Sequence, residues 1–210
     1  MKKMWKKYSK NKMSVLGFVI IVLLLILVIF ADLYVGYDKV LAQDVKNKLQ
    51  SPSLSHICGT DNLGRDLFAR LIYGARVSLG IGVAATFAGM MIGCILGVVI
   101  SVTERDYVTA AKVSGVSTGN IILKYIIPNA AGVLITNGAF YLADTLLASS
   151  GLSFLGIGVQ PPVPEWGSIL SSGLEYMNSG PHIVILSGLF IAVTTVGITL
   201  IGDGLRDVFE

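Results

Sequence analysis

VSLGIGVAATFAGMMIGCILGVVISVT, residues 77–103, carries no charged side chain at any position. A helix needs about 20 apolar residues, each adding about 1.5 Å, to cross a hydrocarbon core of about 30 Å. This stretch exceeds one crossing, which predicts a tilted helix or one that starts at the interface. It decides the fold class: an all-α, polytopic membrane protein. The composition of the whole chain agrees, being 53% hydrophobic and 14% charged, against roughly 25% charged in an ordinary soluble domain.

Working outward, three more spans appear. One runs from Met13 to Val35. Another begins near Pro128, a residue suited to a helix's first turn, and continues through Leu134, Phe140 and Leu147, interrupted by Asp144. The last covers His182 to Ile201. Lys2, Lys3, Lys6, Lys7, Lys10 and Lys12 precede the first span with no acid among them, which marks a cytoplasmic flank. The run from Met13 lacks a small-residue cleavage site and is long, so it reads as an uncleaved anchor. The stretch 150–181 has Glu165 and Glu175 but no Lys or Arg, as an external loop should.

Four crossings that start inside give three segments. Residues 1–35 form a basic cytoplasmic start and the first transmembrane helix. Residues 36–76 lie outside and include an interfacial helix, and 77–210 form the core, with a cytoplasmic loop at 103–128. Gly89, Gly93 and Gly97 recur every fourth residue, a seam along which another helix backbone can approach. Asp144 is costly within a span and belongs either against protein or a watery cavity, or near the outer interface.

The loop reads TERDYVTAAKVSGVSTGNIILKYIIP over residues 103–128. Small side chains at Ala110 and Ala111 suit a helix that seats in a groove of another protein, and Gly115 permits a turn. This segment resembles the EAA loop of ATP-binding-cassette (ABC) importer permeases. That resemblance assigns Thr109, Ala110, Ala111, Gly115 and Pro128 to ATPase coupling.

HICGTDNLGRDLFARLIYGARVSL, residues 56–79, reads as a turn built on Asp61, Asn62 and Gly64. A helix follows, with an apolar stripe of Leu67, Leu71, Ile72 and Ala75. A calcium loop over Asp61 to Asp66 fails at Leu63 and lacks a bidentate Glu, and His56 with Cys58 makes an incomplete metal site. The stretch is similar to the signature of dipeptide and oligopeptide permeases, carried here by Gly59, Thr60, Asp61, Gly64, Arg65 and Asp66. GLSFLGIGVQPPVPEWGSIL, residues 151–170, and GDGLRD, residues 202–207, resemble the same branch.

The resemblance implies a type I ABC importer transmembrane domain that translocates dipeptides or oligopeptides across the cell membrane. It also implies a second permease subunit, cytoplasmic ATPases and an external solute-binding protein as partners, within lipid and without nucleic acid. Members usually have six spans, and this chain passes from Ile100 to Glu104 without the two expected there. Ser149 also stands where the family often has glutamate. Two other readings stay open: a shortened remnant or regulatory subunit, and a permease for nickel or another small solute. The chain has no GxxxxGK[ST] loop and no convincing acid-base, nucleophilic or metal constellation, so neither an enzyme nor a cofactor is expected. Cys58 and Cys94 have no paired spacing.

Overall fold

The computed structural model describes residues 2–101 and 106–209. A short helix, α1 (Lys2–Tyr8), leads into α2 (Lys12–Ile29). Asn11 caps α2 by accepting hydrogen bonds from the Met13 and Ser14 amides at 3.1 and 3.3 Å. Two single turns follow, α3 (Ala31–Tyr34) and α4 (Asp38–Leu41). The long α5 covers Leu67–Ser101, then come α6 (Asp106–Val113), α7 (Thr118–Ile121), a π-helical turn at Ile122–Ile126 and α8 (Ile127–Phe154). α9 (Trp166–Leu174) and α10 (Pro181–Phe209) complete the order. Four of these helices are long and apolar enough to cross a membrane, over Lys12–Ile29, Leu67–Gly93, Ala130–Phe154 and Pro181–Phe209.

The expected break between residues 76 and 77 is absent, because α5 runs through it without interruption. The stripe of Leu67, Leu71, Ile72 and Ala75 is fully buried against other parts of the chain. It therefore packs in the protein core, where an interfacial helix would have laid it on lipid.

α10 packs on α2, α8 and α9, and α8 also holds α5. At one end of the bundle the starts of α5 and α10, the end of α8 and all of α9 converge on a core of Leu67, Leu71, Leu146, Trp166, Ile169 and Ile183. Trp166 satisfies its indole N–H on the Leu71 carbonyl at 2.8 Å, so its large apolar surface is buried with no unpaired donor. At the opposite end the two termini meet, and an even number of crossings is consistent with their sharing one side. Asn11 donates to Asp207 at 2.8 Å, and Lys7 donates to the Val208 carbonyl at 3.4 Å, near the negative end of α10.

Arg76 does the same for α2. Its guanidinium donates to the carbonyls of Val28 and Ile29 at 3.0 and 3.3 Å and pairs with Asp32 at 3.0 Å. Hydrogen bonds from Arg76 and from the Tyr73 hydroxyl hold the Asp32 carboxyl below its usual range.

Within this chain the closest helix approach is not at the glycine repeat of α5. A Cβ at Gly89 or Gly93 would meet nothing within 4 Å, so no described helix of this chain packs closely on that face, and the surroundings of Gly97 lie outside the described residues. The close approach is between α2 and α10. A Cβ at Gly204 would stand 2.4 Å from the Ser14 Cβ, and one at Gly17 would stand 2.6 Å from the Leu200 Cβ. Spacing of small residues shows where a backbone is accessible, while the partner depends on which helices the bundle brings together. Gly204→Leu is expected to separate α2 from α10 and abolish protease resistance in detergent, whereas Gly93→Leu should leave the isolated chain as resistant as the parent.

Candidate functional site

Two regions carry the residues singled out in the sequence. The first is the turn at residues 59–66, set by local hydrogen bonding. The Asp61 carboxylate accepts from the Leu63 and Arg65 amides, both at 2.9 Å, and from Arg65 Nε at 2.7 Å. Gly64 completes the turn at φ +75°, and a Cβ there would lie 1.8 Å from the Asp44 carbonyl oxygen, so only glycine fits. Thr60 is fully buried and donates through Oγ1 to the Asn47 carbonyl at 2.5 Å, while Oγ1 accepts from the Gln50 amide at 2.9 Å. Asp66 caps α5 by accepting from the Ala69 amide at 2.9 Å. Gly59, Thr60, Asp61, Gly64, Arg65 and Asp66 thus form one structural knot.

This knot contains a buried charge cluster that the sequence did not reveal. Asp61, Arg65 and Arg70 are 3%, 7% and 3% exposed. Arg70 Nε lies 3.5 Å from Asp61, within ion-pairing reach, yet its alignment leaves it without a hydrogen bond. One carboxylate therefore neutralises two guanidinium groups unequally. His182, from the start of α10, adds a contact to the Thr60 carbonyl at 3.0 Å.

His56 and Cys58 go to different uses. His56 Nδ1 sits 2.8 Å from Asp66. Burial, helped by the nearby Asp66 charge, pushes the Cys58 thiol up to about 11, so it stays protonated near neutral pH and is a poor metal ligand.

Glu165 also escaped the sequence reading. It is 1% exposed and caps α9 by accepting from the Ser168 amide at 2.9 Å. Its other oxygen accepts from Ser78 of α5 at 3.0 Å and from Ser150 of α8 at 3.4 Å. One carboxylate thus fixes three helices. The signal available was its place before Trp166, where a carboxyl can serve as an N-cap; the hydroxyl partners are distant in sequence.

The second region is the segment between α5 and α8, described from Asp106 onward; residues 103–105 lie outside the described residues. Val108 and Ala111 of α6 turn inward onto Ile121 and Ile126, with Val116 and Ile122 alongside. Gly115, at φ +75°, ends α6 in the left-handed conformation expected of it. The Val116 amide reaches back to the Ala111 carbonyl at 3.1 Å, the six-to-one hydrogen bond of a Schellman motif. Pro128 stands in the first turn of α8.

Ala111 turns inward: it is 8% exposed and belongs to the hairpin's own small core rather than to its outer surface. Thr109 and Ala110 are exposed, and Val113 is 85% exposed. Ala110 and Val113 are three residues apart, and Thr109 and Val113 four, so the three share one side of α6. The outward surface is small and apolar at its centre.

Four helices long and apolar enough to span a membrane, with an ordered hairpin between two of them and a hydrogen-bonded knot before the second, define a multi-pass membrane protein. The chain belongs to the family of binding-protein-dependent transport system inner membrane components, whose sequence profile matches residues 13–210. It is 29% identical to the dipeptide transport system permease protein DppC of Alkalihalophilus pseudofirmus, an alignment covering 98% of this chain and 88% of that protein. It is 27% identical to the glutathione transport system permease protein GsiD of Escherichia coli, with the same 98% and 88% coverage. The DppC alignment has 268 positions and takes in 98% of a 210-residue chain, so about 60 positions face no residue here. Two spans of about 20 residues each, with their connections, account for such a deficit.

Proposed function

We propose that this chain is the peptide-translocating permease subunit of an ABC importer, working beside a second permease subunit. Cytoplasmic ATPases would supply the energy and an external binding protein the solute. The observation that carries the solute class is similarity over nearly the whole chain to permeases named for dipeptide and glutathione transport, both short peptides. The lysine-rich start supports cytoplasmic termini, and the α6 hairpin then faces the ATPases. In this reading Thr109, Ala110 and Val113 form the docking surface, while Ala111, Gly115 and Pro128 shape it.

The deficit of about 60 positions defines the rival to be tested, a subunit that assembles without enclosing a pathway. Uptake of a labelled dipeptide in cells that hold the partner subunits but lack any intact paralogue separates the two. Uptake restored by this chain at more than about tenfold over background is the expected result; background uptake with normal assembly favours the rival.

A further inference from the structure

We infer that Asp144 is the cation-recognition point of a solute groove between α5 and α8, and that it takes the free ammonium group of a short peptide. The inference rests on the permease reading and adds a residue and a ligand chemistry to it.

The groove has a volume of about 420 Å³ and lies within two spanning helices, with Thr86, Gly89, Gly93, Asn137, Tyr141 and Thr145 among its walls. That is the size of a small-molecule site. The absence of side chains at Gly89 and Gly93 keeps it open, since nothing stands within 4 Å of either position. Thr86 and Thr145 approach at 3.4 Å across its floor, which ties the two walls together. An amide, a phenol and two hydroxyls are a polar lining that hydrocarbon would not favour.

Asp144 is not itself in the groove lining, but it lies one helical turn beyond Tyr141 on the same side of α8. Asn137, Tyr141 and Asp144 follow at intervals of four and three residues on α8, so they share one helical face. The span Ala130–Phe154 continues ten residues beyond Asp144 and begins fourteen before it. At about 1.5 Å per residue the carboxylate sits roughly 15 Å from one end and 21 Å from the other, too deep for the interface. Its side chain is exposed, and among the described residues no hydrogen bond or ion pair reaches it. α5 beyond Arg76 and all of α8 contain no Lys or Arg, so neither wall supplies a counter-ion. A carboxylate held at mid-membrane needs water or a cation. The groove that opens one helical turn away, at Tyr141, admits both, and the ammonium group of a peptide has the complementary charge, with Asn137 and Tyr141 able to meet its amide.

Saturation-transfer NMR on the purified permease complex without its binding protein tests this, using dialanine and N-acetyl-dialanine as probes. Dialanine should give a signal at least about fivefold above its acetylated form on the parent complex. Asp144→Asn should remove the difference and Asp144→Glu keep part of it. Gly89→Leu, which fills open space, should weaken both probes with folding intact. Equal signals from the two probes on the parent, no signal on the parent, or an unchanged preference in Asp144→Asn would overturn the inference. Loss of the second permease subunit from purified Asp144→Asn would also overturn it, by making Asp144 an inter-subunit ion pair. Uptake by the parent is measured separately, so failure of the permease reading is told apart from failure of the groove.

Discussion

Asp61→Ala is expected to be the most damaging single substitution in the knot that precedes α5, lowering stability by about 3–5 kcal/mol, the usual consequence of removing one partner from a buried ion pair. The change would leave Arg65 and Arg70, 7% and 3% exposed, without the only carboxylate that the structure places beside them among the described residues. It would also orphan the Leu63 and Arg65 amides, which form the turn through Asp61. α5 begins directly after that turn, and its first residues build the core around Trp166. Damage should therefore spread to the packing of α9 and α10. Asp66→Ala is the matched comparison: it removes a helix cap and a partly exposed pairing with His56, a loss of about 1 kcal/mol. Yield of detergent-soluble protein and the midpoint of thermal aggregation report both variants. Equal behaviour of the two would show that the buried charges have another counter-ion.

The second large effect concerns coupling. Ala110→Arg is expected to reduce co-purification of the cognate ATPase by more than about tenfold while leaving the chain folded, because the residue is exposed at the centre of the α6 outer surface. A guanidinium forced into an apolar contact would lose its hydration without gaining a partner. Ala111→Arg should behave differently. Its side chain would enter the core of Val108, Ile121 and Ile126, so the hairpin itself should unfold, and binding would be lost together with local protease resistance. Asn178→Arg, in the exposed segment after α9, serves as the control and should bind as the parent does. Retention of the ATPase by folded Ala110→Arg would remove this face from the coupling surface.

The contrast between Ala110 and Ala111 shows how far sequence reasoning reaches at this site. The two alanines and Gly115 identify a short helix with a left-handed end, and that is what α6 is. Which alanine faces outward depends on where Ile121 and Ile126 return, ten and fifteen positions later, and no local spacing encodes that return. The family profile and the relatives agree with the transporter class that the motifs imply. The glycine repeat in α5 taught the opposite lesson. Its period was legible, but the close helix contact formed at Gly17 and Gly204 instead, on helices whose glycines have no such regular repeat.

By itself, the sequence determined the all-α membrane class, the four spans, the turn at Asp61 to Gly64 and the end of α6 at Gly115. Each depends on interactions within about one helical turn or on the apolar length of one segment, and such quantities are written along the chain. Tertiary structure alone decided that α5 begins inside the protein core and that Glu165 joins Ser78 to Ser150, across separations of 87 and 15 residues. It likewise decided that Asp61 lies beside Arg70, and that an open groove forms between α5 and α8 along Thr86, Asn137 and Tyr141. These are relations between surfaces of different helices, set by how the bundle packs, and the free energy of burying a charge or opening a groove exists only once that packing has formed.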